Sequence, residues 1–233
     1  MEPEPALEVV LRSAARLQEV VPEAVLVGGT AAAVHAQHRV SFDHDHVLSD
    51  LAQRYAEVLE AVEASEGWVT SVRASSPPLT LLGSLDGVEA GLRQLRRTRP
   101  LEVEHYVLPG GESVRVPPLP EMLRIKAFLV VQRNATRDYL DTVALADRLG
   151  VWEATNVLAQ IEEYYEDRSR THGSVLTALV TRLAEPSPRD VRVTAQLPSY
   201  KGLDPRWHEW HSVVAACQEL ADQLLRAVEA GQS

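Results

Sequence analysis

The chain has 233 residues, 45% hydrophobic and 24% charged, which suits a folded protein with a sizeable core and excludes a disordered one. Lys and Arg number 23 against 33 Asp and Glu, so the net charge of −10 excludes a uniformly basic duplex binder while leaving local RNA contact open. A single cysteine, Cys217, excludes an internal disulfide and a thiol-built zinc site, and neither the acidic start Met1-Glu2-Pro3-Glu4-Pro5 nor any apolar run reads as a signal peptide or membrane span. The expectation is a soluble, cytoplasmic protein without a membrane partner.

In chain order, Leu7, Val10, Leu11, Ala14, Leu17 and Val20 recur at helical steps and predict a helix over 5–20, ended by Pro22. Ala24 to Val27 predicts a short buried strand, closed by Gly28-Gly29, with helical character from Thr30 to Gln37. Val40 to Val47 reads as extended and Asp50 to Ala64 as an amphipathic helix. Trp68 to Val72 and Leu79 to Leu82 predict strands, whereas Gly87 to Thr98 fits helix and strand alike. Leu101 to Leu108 alternates, and the turn Pro109-Gly110-Gly111 pairs it with Ser113 to Val116 as a hairpin.

Past the prolines at 117–120 the period becomes helical. Helices are predicted over Glu121 to Arg133, Thr136 to Leu149 with Thr136 as N-cap and Gly150 as stop, Val151 to Glu166, and Ser174 to Leu183. Pro186, Pro188, Pro198 and Gly202 predict an extended connector over 185–203, and Asp204-Pro205 opens a last helix. The fold class is α+β, with a mixed-sheet core over 1–117 followed by a helical bundle over 118–233.

The chemistry concentrates in residues 27–47. A strand running into Gly28-Gly29 and a helix start leaves backbone N–H groups pointing at one spot, and glycine lets a phosphate approach them. Asp43 and Asp45, two apart on the next strand, leave the same face of a sheet. Two adjacent carboxylates repel unless a hard divalent cation lies between them, and Mg²⁺ accepts such a pair with substrate phosphates completing its shell. The ordered combination describes a place for a metal-bound nucleoside triphosphate.

These residues resemble the nucleotidyltransferase superfamily with a polymerase-beta-like core, whose signature is Gly-Gly or Gly-Ser, a spacer, and Asp-x-Asp/Glu. More narrowly, the sequence resembles the AbiEii/AbiGii toxin branch, which includes the mycobacterial Men-type tRNA-modifying toxins. Arg39-x-Ser41-x-Asp43 matches its lead-in, Lys126 in Leu123-Arg-Ile-Lys126-Ala its helical lysine, and Thr136-Arg137-Asp138-Tyr139-Leu140-Asp141 its Arg/Lys-Asp-x-x-Asp element. The resemblance covers roughly residues 20–150. It implies a nucleotidyltransferase core whose NTP site the helical domain completes. Asp43, Asp45, Lys126 and Asp141 would be the catalytic group, with Gly28, Gly29, Thr30, Ser41 and Lys126 toward the NTP. It implies Mg²⁺ or Mn²⁺ as cofactor, NTP as substrate, the tRNA 3′ end as acceptor, and a cognate antitoxin as a partner. A phosphate on Ser41 would place negative charge beside the triphosphate and block binding.

Further candidates come from the residues themselves. Polymerase-like members often carry a third carboxylate on a neighbouring strand, for which Glu102 and Glu104 stand on one face, with Asp86 a loop alternative. His44 and His46 replace the apolar residues usual around the two aspartates. Alternation sends them to the opposite face, where they are expected to pack under the site, donate hydrogen bonds and make activity pH-sensitive near 6.5. Only Lys126 and Lys201 are lysines. Arg93, Arg96, Arg97 and Arg99 form a basic run suited to an RNA backbone, or equally a solvated face. Trp207 and Trp210 read as anchors of the last helix. The function expected is a toxin-type, NTP-dependent nucleotidyltransferase that adds nucleotides to the tRNA 3′ end. The alternatives are transfer to a small-molecule or protein hydroxyl, and a silent nucleotide- or partner-binding module.

Overall fold

A computed structural model describes residues 5–231; residues 1–4 of the acidic start lie outside it. The chain forms two compact units, one of residues 1–96 with 100–118 and one of 97–99 with 119–233.

The first unit contains α1 (Pro5–Val20), β1 (Val25–Val27), α2 (Gly28–Ala36), β2 (Asp43–Leu48), α3 (Leu51–Glu63), β3 (Trp68–Thr70), β4 (Thr80–Leu85), β5 (Val88–Gln94), β6 (Glu104–Val107) and β7 (Ser113–Val116). A mixed sheet runs in the order β1-β2-β5-β4-β3, with β2 and β5 parallel and the other neighbours antiparallel. The ambiguous stretch after Gly87 is thus a central strand. Its entry is a two-residue hairpin turn, Asp86-Gly87, with both residues at positive φ (50° and 80°), the geometry that matches strand twist. The predicted hairpin of β6 and β7 forms as a separate two-stranded sheet.

One face of the five-stranded sheet is dry. Leu48, Leu81, Leu85, Ala90 and Leu92 pack with Leu17 and Val21 at the end of α1 and with Leu51, Val58 and Val62 of α3. Each fully buried Leu or Val there contributes about 1.5–3 kcal/mol. Asp43 and Asp45 leave the other face, because successive strand residues alternate sides.

The second unit contains α4 (Leu119–Gln132), α5 (Thr136–Leu149), α6 (Val151–Ala159), α7 (Ile161–Tyr164), α8 (Glu166–His172), α9 (Val175–Ala184), 3₁₀ segments at Val191–Ser199 and Pro205–Trp207, and α10 (Trp210–Gly231). The helix predicted over 151–166 is broken at Gln160 and Tyr165, which lets Ile161, Tyr164 and Tyr165 all turn inward. Thr136 is not the cap of α5. Ala135 takes that position, and the Asp190 carboxylate accepts from the Thr136 backbone N–H (2.8 Å) and hydroxyl (2.9 Å). The supposed extended connector therefore folds as 3₁₀ turns that deliver a cap. Asp204 caps the short turn at Pro205, and the last helix starts only at Trp210.

Candidate active site

Asp45 lies between two glycines. On one side, β1 pairs Val27 with Asp45 and passes straight into α2 through Gly28, at φ +75°. A Cβ on Gly28 would stand 3.3 Å from the Asp45 carboxylate. On the other side, β5 places Gly91 opposite Asp45, where a Cβ would stand 2.5 Å from Oδ1. Gly29 has a different reason to be glycine: a Cβ there would meet the Arg39 guanidinium at 2.6 Å and the Ser41 hydroxyl at 2.7 Å.

Asp43 is positioned by hydrogen bonds. The Ser41 hydroxyl donates to its Oδ1 at 2.8 Å, and the Thr30 hydroxyl donates to its carbonyl at 2.5 Å. Thr30 is fully buried, and its hydroxyl shapes the start of β2. Ser41 is buried as well and acts through Asp43.

The two aspartates line a cleft of about 500 Å³ together with Glu89, Arg93, Leu82, Ser84 and Val69. Arg93 Nε stands 3.2 Å from Asp45 Oδ1. Glu89 is the register partner of Asp43 on the adjacent parallel strand and shares its face. Glu104, the sequence candidate for a third carboxylate, is on β6 of the separate sheet, and Glu102 precedes that strand. Glu89 carries no local signal in the sequence, because Gly87 to Thr98 fits helix and strand alike. Among the described residues no three His, Cys, Asp or Glu side chains gather into a closed metal cage. The donor set is an open pair of hard carboxylates, which fits Mg²⁺ or Mn²⁺ held by one or two protein oxygens with phosphates supplying the rest.

His44 and His46 are on the dry face, fully buried, with their rings edge-on at 5.2 Å. His44 Nε2 meets the Ser13 hydroxyl at 3.0 Å, while neither ring nitrogen of His46 finds a hydrogen-bond partner among the described residues. Burial lowers the His44 pKa to about 4 and that of His46 well below its ordinary value. The expected titration near 6.5 is therefore corrected: desolvation keeps both rings neutral.

Within the helical unit, Lys126 on α4 and Asp141 on α5 form an ion pair of 2.7 Å with both side chains buried. Arg137 lies over the Tyr200 ring at 5.4 Å.

The arginine run divides. Arg93 faces the aspartates and Arg96 is exposed. Arg97 is buried, bonded to Glu121, with its guanidinium 5.5 and 5.3 Å from the rings of Tyr164 and Tyr165. Arg99 stacks over Tyr164 at 3.8 Å. The fully buried Glu121 carboxylate holds Arg97 and Arg124, so the four residues are no continuous RNA-facing patch, and Arg97 is not presented to RNA. Trp207 is buried and Trp210 meets Tyr139 edge-on at 5.9 Å, as anchors do.

A mixed sheet with a Gly-Gly helix start beside an Asp-x-Asp strand, followed by helices, is the nucleotidyltransferase fold. Solved structures share it. The nucleotidyltransferase toxin MenT4 of Mycobacterium tuberculosis superposes with a TM-score of 0.50 at 16% identity, over 94% of this chain and 82% of that one. JHP933 of Helicobacter pylori gives 0.50 at 17% identity over the whole of both chains. The antibiotic-resistance factor ANT(2″)-Ia gives 0.51 at 12% identity, over 71% of this chain and 96% of that one. No protein-family model matches the chain. Among curated proteins, 130 residues are 34% identical to the heme uptake protein MmpL11 of Mycobacterium tuberculosis, and 134 residues are 33% identical to the mycolic acid-containing lipids exporter MmpL11 of Mycolicibacterium smegmatis. Each match takes in 56% of this chain but only 13% of the relative, so the chain spans about an eighth of those proteins. Among the described residues no helix is long and apolar enough to cross a membrane.

Proposed function

We propose that the protein is an NTP- and divalent-metal-dependent nucleotidyltransferase whose acceptor is the tRNA 3′ end, acting as the toxin of a toxin–antitoxin pair of the AbiEii type. One observation carries the enzymatic part: Asp43 and Asp45 share an open face beside the N-terminus of α2, with glycines at 28, 29 and 91 clearing space around the carboxylates and that helix start. A divalent cation at the aspartates supplies Lewis-acid activation of the attacking hydroxyl and neutralises charge on the leaving pyrophosphate.

The chain's own residues do the rest. The first N–H groups of α2 bind the triphosphate, where helix ends favour anions. Ser41 and Thr30 fix Asp43, and Gly28 and Gly91 leave the Asp45 carboxylate one lodging. The acceptor hydroxyl oxygen bonds the α-phosphorus as the α–β bridging bond breaks. Its proton passes to a cleft carboxylate, and pyrophosphate leaves with the bonding electrons. Lys126, oriented by Asp141, is assigned to the triphosphate in the nucleotide-bound protein, and Glu89 replaces Glu104 as the third acid.

The test is incubation with each labelled NTP, Mg²⁺ and total tRNA, with an aminoglycoside and a lysate protein fraction added as competing acceptors, alongside Asp43→Asn and Asp45→Asn. Labelled tRNA is expected from the wild type and none from either variant, with circular dichroism showing all three folded. Label on tRNA from a folded Asp45→Asn protein sinks the metal-site assignment. Label on an aminoglycoside or on protein, with tRNA untouched, replaces the acceptor.

A further inference from the structure

The open face of the sheet continues past the acids. In register, Asp43 stands beside Glu89, Glu89 beside Ser84 of β4, and Ser84 beside Val69 of β3. The next row runs from Asp45 through Gly91 to Leu82. Paired residues share a face, so Ser84, Leu82 and Val69 extend the floor of the cleft from β5 toward the sheet edge. Two strand steps, from β5 to β3, span about 10 Å, roughly the length of a nucleoside laid flat. Val69 on the edge strand is 65% exposed.

The charges on this floor are unevenly placed. Among the described residues, Asp43, Asp45 and Glu89 are the acids lining the cleft, all at one end. Beyond them the shelf carries hydroxyl and apolar side chains, and its charged group is Arg93. Arg93 sits farther along β5 on the same face, 3.2 Å from Asp45 with its side chain 45% exposed. If the triphosphate lies at the β1–α2 side of the aspartates, the acceptor hydroxyl must arrive in line from the opposite side, which is this shelf.

Resting on the transferase reading above, we propose that the shelf is the acceptor subsite and that Arg93 is its specificity-determining residue. The acceptor it fits is the 3′-terminal nucleoside of a single-stranded nucleic acid. The terminal hydroxyl lies at Asp43 and Glu89, the base lies over Leu82 and Val69, and the phosphodiester on its 5′ side meets Arg93. Arginine is suited to that last contact because its planar fork matches phosphate oxygens. A polycationic acceptor would meet Arg93 and, among the described cleft residues, find no carboxylate beyond the three already at the reacting centre.

The experiment measures two affinities separately. A fluorescein-labelled short single-stranded RNA with a free 3′ hydroxyl is titrated by anisotropy, and Mg²⁺–NTP binding is followed by calorimetry. The proteins are wild type, Arg93→Glu, Arg93→Lys and Val69→Glu, the last placing a carboxylate on the exposed edge strand away from Asp45. Arg93→Glu and Val69→Glu are expected to weaken RNA binding by about tenfold or more, and Val69→Glu to leave NTP affinity within about twofold. Arg93→Lys should recover part of the loss. Arg93→Glu should flatten the slope of log K against log salt by about 0.7, one phosphate contact on a single strand. RNA binding unchanged in both glutamate variants overturns the subsite, even if the wild type transfers nucleotides. In the labelling assay of the transferase reading, preferential labelling of the added aminoglycoside overturns it too. A wild type that binds RNA through Arg93 and Val69 but transfers nothing upholds the shelf and sinks the transferase reading instead.

Discussion

Gly91 and Asp45 stand opposite each other on adjacent parallel strands, so close that a methyl group on Gly91 would lie 2.5 Å from Asp45 Oδ1. Any side chain at position 91 must therefore displace the carboxylate or the Leu82 methyl, 2.9 Å away. Gly91→Ala is expected to lower transfer about a hundredfold, the cost of misplacing a reacting group by about 1 Å, while losing no more than about 1–3 kcal/mol of stability. Turnover and a denaturant melt on the same preparation check both halves.

Lys126 and Asp141 allow stability to be separated from catalysis. Removing one partner leaves a buried charge uncompensated, so Lys126→Ala or Asp141→Asn should each cost about 3–5 kcal/mol. The double change Lys126→Met with Asp141→Leu should recover most of that, since apolar residues of similar volume replace buried ion pairs well. If Lys126 serves the triphosphate, the re-stabilised double variant remains inactive and binds Mg²⁺–NTP weakly. A stable double variant with normal NTP affinity reduces the pair to a structural role.

The histidine pair predicts how stability depends on pH. Near pH 6.5 an unfolded chain protonates these rings, whereas the folded His44 waits until about pH 4 and His46 lies well below its ordinary value. Between those limits the unfolded state binds more protons, so stability falls as the pH drops through that window. His44 alone accounts for a loss on the order of 3 kcal/mol. His46→Leu removes two buried nitrogens without partners and is expected to raise the melting temperature at pH 5 more than at pH 7.5. A pH–rate profile of the wild type should show no step near 6.5 from either ring.

Arg97 and Arg93 should behave as different kinds of arginine. Arg97→Ala removes one of the two guanidinium partners of the fully buried Glu121 carboxylate, leaving Arg124, and is expected to lower stability by about 1.5–3 kcal/mol. Its effect on RNA affinity, measured at a temperature where it is folded, should be small. Thermal melts beside anisotropy titrations separate the two residues.

Most of the secondary structure was legible because local rules govern it. The periods of α1, α3 and α5, the glycine turn before β7, and the Asp-x-Asp strand all follow from residues close in sequence. The Gly28-Gly29 start and the shared face of Asp43 and Asp45 were readable for the same reason. What stayed hidden depends on strands and helices far apart in the chain. The parallel pairing of β2 with β5 brings Glu89, Gly91 and Arg93 to the aspartates across more than forty residues. No period in Gly87 to Thr98 announces it.

Composition set the size of the core and the charge balance, and the order of motifs set the fold class. Burial decided the rest. Four arginines in seven residues look alike in sequence, yet one is sealed against Glu121 and another faces the cleft. Two histidines with ordinary pKa values in a peptide are neutral at neutral and mildly acidic pH once the sheet closes over them. Sequence specifies which groups are present and on which side of a strand they emerge, because backbone alternation is local. Which of them meet, and whether water reaches them, is a property of tertiary packing, where desolvation costs several kcal/mol per charge and leaves a buried ion only with a partner.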